Sequence, residues 1–130
     1  MLVGIGTDLV ETSRIEALYA RQGERFARRL LAASEWEDFV AHRFPVRFLA
    51  KRWALKEAVA KALGTGIAQG VSFEQMAIHH HPSGQPYLQL SGSAAQRAEL
   101  LGATDWQISV SDERHYCVAF VVAQSGECAR

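Results

Sequence analysis

Residues 46–63 read VRFLAKRWALKEAVAKAL, a run without glycine or proline and rich in strong helix formers. Pro45 stands where a first helical turn accepts proline, and Gly64 stands at the position that stops a helix. On a helix advancing about 100° per residue, Phe48, Leu55, Val59 and Leu63 share one sector and read as a core stripe. Glu57 and Lys61 fall together on the opposite side, with Ala50 and Ala54 as their nearest neighbours there. Small residues beside large charged ones predict an open groove. A carboxylate and an ammonium one turn apart, facing a groove, suit a metal ion next to a phosphate ester. The same spacing describes an exposed Glu–Lys pair at i,i+4, worth about 0.2–0.5 kcal/mol to a helix. The helix by itself leaves both readings open.

Upstream, residues 2–10 are apolar and interrupted by Gly4 and Gly6, the pattern of a buried strand approached closely by other backbone. Asp8 sits at the end of GIGTD, where it either turns the chain toward Ser13 or joins Glu57 to hold a hard cation. Magnesium takes one or two protein carboxylates and leaves its other positions to water and phosphate oxygens. Ser13 with Glu16, and Ser34 with Glu37, have capping-box spacing. The first box opens a helix through IEALYARQ, weakened at Gly23 and resuming through ERFARRLL; the second opens EWEDFVAH. Arg14, Arg21, Arg25 and Arg28 would lie on one side of a continuous helix, with Leu18 among them. That side is either a solvated basic face or a docking surface for an acidic protein helix.

Downstream, glycines in the GTG loop at 64–66 could admit phosphate oxygens to backbone N–H groups, although the loop matches no P-loop or dinucleotide fingerprint. Strands are expected near Gln75–His80 and Pro86–Leu90, joined by Pro82-Ser83-Gly84, and at Trp106–Ser111 and Tyr116–Ala123 around a DERH turn. SAAQRAELLG reads as a helix closed by Gly102. His79, His80 and His81 alternate faces on an edge strand and read as exposed. Trp36, Trp53 and Trp106 read as packing residues. The fold expected is α+β, an antiparallel sheet packed on a long central helix in a single domain spanning 1–130.

Lys plus Arg equal Asp plus Glu at 14 each, so no global field points to nucleic acid or to an anionic membrane. No stretch reaches the roughly 18 apolar residues of a spanning helix. Cys117 lies in an apolar run and Cys128 in the polar tail, which argues against a disulfide. With no signal-like n-region before MLVGIGTDLVE, a cytoplasmic location is expected.

Four stretches, GIGTDLVETSRIE at 4–16, RFLAKRWALKEAVAKALGTGI at 47–67, GQPYLQL at 84–90 and ISVSDERHYCVAFVV at 108–122, together resemble the holo-acyl-carrier-protein synthase family. These are the small trimeric 4′-phosphopantetheinyl transferases. The resemblance implies transfer of 4′-phosphopantetheine from coenzyme A to a serine of apo acyl carrier protein, releasing adenosine 3′,5′-bisphosphate in support of fatty acid biosynthesis. It implies magnesium, with manganese as the alternative, held by Asp8 and Glu57, and catalytic roles for Glu57 and Lys61. Coenzyme A contacts map to Arg52, Lys56, Gly64 and Gly66, and the carrier-protein surface to Arg14, Leu18, Arg21 and Arg25. A homotrimer is implied, with the active site between adjacent subunits. Where many relatives carry Ser-x-Ser/Thr-His, this chain has Ser109-Val110-Ser111-Asp112. Asp112 as an anion needs a metal or a neighbouring base to meet phosphate, and His115 lies three residues on. Two other functions fit the residues: a metal-dependent hydrolase of a nucleotide diphosphate, and a noncatalytic module that binds an acidic protein through its arginines.

Overall fold

The computed structural model describes residues 1–126; Cys128 lies outside them. Strand β1 (Leu2–Glu11) pairs antiparallel with β5 (Tyr116–Gln124), and β5 pairs antiparallel with β4 (Asp105–Asp112), giving the order β1-β5-β4. Helix α4 (Pro45–Leu63) crosses one face of this sheet. Its Gly64 stop has φ 82°, the left-handed value that favours glycine.

The approach of α4 to β1 is set by two glycines. A Cβ on Gly6 would be driven into the Ala58 carbonyl, and one on Gly4 into that of Ala62. Backbone therefore packs on backbone, and the alanines of α4 are the matching surface. Ala50, Ala54 and Ala58 are completely buried. This corrects the groove expected beside Glu57: its alanine neighbours are contact points, not open space. Phe48, Leu55, Val59 and Leu63 are buried as a core stripe, so α4 is enclosed on most of its circumference.

The N-terminal helices cover the side of α4 away from the sheet. Helix α1 (Thr12–Gln22) begins one residue before Ser13, with Glu11 at its cap and no side-chain capping bond, so the Ser13–Glu16 box does not form. Gly23, at φ 58°, separates α1 from α2 (Glu24–Leu30). The arginines thus lie on two helices rather than on one continuous face. A 3-10 turn (Ala33–Glu35) leads into α3 (Trp36–Ala41); Ser34 sits inside that turn and its hydroxyl meets His79 at 3.0 Å, so it caps nothing. Phe26, Leu30, Phe39 and Phe48 are buried among these elements.

Strands β2 (Met76–His80) and β3 (Pro86–Leu90) form a separate hairpin, and α5 (Gly92–Leu101) ends at the left-handed Gly102. After a register shift between Leu2 and Gly4, the even positions Gly4–Val10 of β1 face α4, while Ile5, Leu9 and, on β5, Phe120 lie on the other side of the sheet. These three are 69%, 64% and 57% exposed. Among the described residues, no helix is long and apolar enough to cross a membrane.

Candidate active site

Strand alternation turns Asp8 toward α4, and the long helix brings Glu57 and Lys61 up beside it. Lys61 Nζ lies 3.3 Å from Asp8 Oδ1 and donates to the Thr7 carbonyl oxygen at 2.9 Å. The other carboxylate oxygen, Asp8 Oδ2, is buried and has no hydrogen-bond partner among the described residues. A buried, unsatisfied acceptor is costly to leave bare. Burial, and then the Asp8 charge, push the Glu57 carboxyl above its ordinary range, against the lowering pull of Lys61 and Arg14. A carboxylate strained by its neighbour's charge, beside one with an orphaned oxygen, suits a hard divalent cation. Among the described residues, no three His, Cys, Asp or Glu side chains gather around a metal position. The donor set therefore fits an ion that takes few protein ligands, as magnesium does beside phosphate.

Lys56 is a correction. Its ammonium is fully buried on another side of α4 and donates to Glu35 Oε1 at 2.6 Å, to the Leu30 carbonyl at 2.8 Å and to the Phe73 carbonyl at 3.2 Å. No face of it is open to coenzyme A. Arg52 Nε donates to the second Glu35 oxygen at 2.9 Å, and that carboxylate also accepts the Ala32 and Ile78 N–H groups. Burial lowers the Lys56 ammonium to about 8 even against the Glu35 charge. The helical wheel already contained the signal. Arg52 falls about 40° from Phe48, inside the apolar sector, and two cations bordering a core stripe require a buried anion. Glu35, unassigned from the sequence, is that anion.

Arg52 keeps a second role open. With Lys51, His42 and His80 it lines a cavity of about 390 Å³. Burial and the charges of Arg52 and Lys51 hold the His80 imidazole below its usual pKa. This cavity is on the side of α4 away from Glu57. A second cavity, of about 330 Å³, is lined by Arg43, Arg47, Asp112 and Arg114. Arg47 Nε stands 3.5 Å from Asp112 Oδ2 and supplies the neighbouring base that Asp112 requires. His115 does not line this cavity.

The loop after α4 is open but its glycine donors are committed. Gly64 N–H donates to the Lys61 carbonyl at 3.0 Å and Gly66 N–H to the Ala60 carbonyl at 3.1 Å. Both have positive φ, and a Cβ on Gly66 would meet nothing within 4 Å. The glycines supply the turn and clearance; their N–H groups finish the helix. Arg14, Arg21 and Arg25 are exposed and Leu18 is half-buried. Trp36 and Trp53 pack on the core and also carry guanidinium groups: Arg28 lies 3.8 Å from the Trp36 ring centroid and Arg14 5.2 Å from that of Trp53.

The chain matches the 4′-phosphopantetheinyl transferase superfamily over residues 4–121. It belongs to that superfamily. A holo-[acyl-carrier-protein] synthase of Hydrogenovibrio crunogenus is 57% identical over 125 residues, covering 96% of this chain and 98% of the relative. The crystal structure of holo-[acyl-carrier-protein] synthase from Neisseria meningitidis superposes with a TM-score of 0.90 at 42% identity, covering 95% of this chain and 99% of that one. The Helicobacter pylori enzyme, crystallised in complex with coenzyme A, superposes with a TM-score of 0.80 at 30% identity, covering 92% of this chain and 99% of that one.

Proposed function

We propose that this chain, acting as one domain over residues 1–130, transfers the 4′-phosphopantetheine group of coenzyme A to a serine of apo acyl carrier protein and releases adenosine 3′,5′-bisphosphate. The observation that carries the reading is the Asp8–Glu57–Lys61 constellation, joined across strand and helix, in a chain so similar to holo-acyl-carrier-protein synthases along its length. Asp8 and Glu57 would hold magnesium, or manganese in its place. When bound, that ion would supply Lewis-acid polarisation of the diphosphate and charge stabilisation for the departing adenosine 3′,5′-bisphosphate. Lys61 neutralises charge that develops on the phosphoryl oxygens while keeping Asp8 in position. Glu57, ionised, completes the cation site and faces the incoming serine hydroxyl.

The cationic cavity at Arg52 and the carboxylates at Glu57 lie about 140° apart around α4. Neighbouring subunits would bring a cationic cavity of one chain next to the carboxylates of another, within reach of one coenzyme A molecule. A homotrimer with the reaction cleft between neighbours fits this separation. The exposed apolar side of the sheet, with Ile5, Leu9 and Phe120, is the surface for self-association. The Gly64–Gly66 loop gives the diphosphate clearance, and Arg14, Leu18, Arg21 and Arg25 face the carrier. The cytoplasm, where its substrates meet and free thiols persist, is the compartment this reading assigns.

Intact-mass measurement of apo acyl carrier protein incubated with the purified chain, coenzyme A and magnesium tests the proposal. The carrier gains the mass of one phosphopantetheine, and chelator or Ser→Ala in the carrier abolishes the gain. Cleavage of coenzyme A with no change in any carrier would instead identify a hydrolase. Full activity from sedimenting monomer would exclude the shared cleft.

A further inference from the structure

Trp53 lies one turn before Glu57 on α4, so the two side chains leave the helix on the same side. Its indole is pinned by Phe26, with ring centroids 6.1 Å apart, and by Phe73 at 5.1 Å. Onto that ring α1 places the Arg14 guanidinium, 5.2 Å from the centroid. Among the described residues, no carboxylate stands within ion-pair distance of Arg14, although its charge is felt at Glu57. An exposed arginine ordinarily samples many rotamers and loses that freedom on binding. Held over an indole, it is pre-oriented without its charge being spent.

We propose that Trp53 is a positioning residue for the carrier protein: its indole holds the Arg14 guanidinium at the Glu57 end of the site, so that an acidic carrier helix engages with its serine next to the reacting phosphate. This rests on the assignment of Arg14 to carrier docking. Arg21 and Arg25 have no such platform among the described residues and supply attraction only. The aromatic residue therefore sets where the carrier lands, and the remaining arginines set how fast it arrives.

The test is a double-mutant cycle on the full chain with coenzyme A and magnesium saturating and apo acyl carrier protein varied. Trp53→Leu lowers kcat/KM for the carrier roughly two- to five-fold, the range of an exposed cation–π contact, and leaves KM for coenzyme A in place. Trp53→Phe, which keeps an aromatic face, falls between. In an Arg14→Ala background, Trp53→Leu has no further effect. If the Trp53→Leu loss persists in full in that background, Trp53 does not act through Arg14 and the proposal fails while carrier docking by Arg14 stands. If Arg14→Ala alone leaves kcat/KM for the carrier unchanged, the docking assignment and the proposal fall together. Should Trp53→Leu not fold, the cycle with Trp53→Phe makes the same comparison.

Discussion

Lys61 ties the helix to the strand at the point where the two carboxylates meet: its Nζ lies 3.3 Å from Asp8 Oδ1 and donates to the Thr7 carbonyl oxygen. On the proposed reading, one side chain both orients the carboxylate that would hold the cation and presents charge to the phosphate. Lys61→Ala is expected to lower kcat by about 10²–10³-fold, the scale for removing a preorganised charge-stabilising group. It also raises the magnesium concentration needed for half-maximal rate, because Asp8 loses its tether. Steady-state rates across a magnesium titration check both; a large fall in kcat with an unchanged magnesium requirement would confine Lys61 to the phosphate.

Glu57 should titrate above the ordinary carboxylate range in metal-free protein, since burial and Asp8 both favour its neutral form. The folded state then binds a proton that the unfolded chain has already released. Stability from this group is greatest at acid pH and declines as pH rises through the raised folded value. Carboxylate chemical shifts followed against pH would show the titration, and Asp8→Asn would move it downward. Magnesium binding, which needs the ionised form, weakens on the acid side at a correspondingly higher pH.

Gly6→Ala is expected to destabilise the fold by about 1–3 kcal/mol, the usual cost of overpacking a tight contact, because its Cβ meets the Ala58 carbonyl. Urea unfolding measures that loss. The variant that does fold should also need more magnesium, since pushing β1 from α4 separates Asp8 from Glu57. A destabilised variant with an unaltered magnesium requirement would show that the site tolerates a wider spacing.

Lys56→Met removes one of the two buried cations that balance Glu35, leaving Arg52, and should cost stability, at most about 3–5 kcal/mol. KM for coenzyme A in the folded fraction stays at the parent value. A stable variant with a raised KM would return Lys56 to the substrate site.

The elements were largely legible because their signals are local. Pro45 and Gly64 bracket α4, Gly102 ends α5, and the turn residues at 82–84 mark the β2–β3 hairpin. Asp8 and Glu57 could be singled out as types and spacings, but their meeting depends on Gly4 and Gly6 admitting the helix, a contact between residues some fifty apart in sequence. Misreadings arose where a tertiary partner decided the role. Lys56 resembles any helix-surface lysine until Glu35 is placed against it from a 3-10 turn. Ala50 and Ala54 resemble filler on an open face, yet the fold buries both completely. Asp112 lacked an evident counter-charge because Arg47 reaches it from a different element.

Strand β1 is used on both sides: Asp8 turns inward to the helix while Ile5 and Leu9, its odd-numbered neighbours, turn outward with Phe120. From Gly4 to Val10 an inward carboxylate and an outward apolar surface thus alternate, in a register fixed by pairings such as Asp8 with Ala119. A single insertion or deletion between Gly4 and Val10 would invert which residues look inward, moving Asp8 away from Glu57 and the apolar side chains into the helix contact.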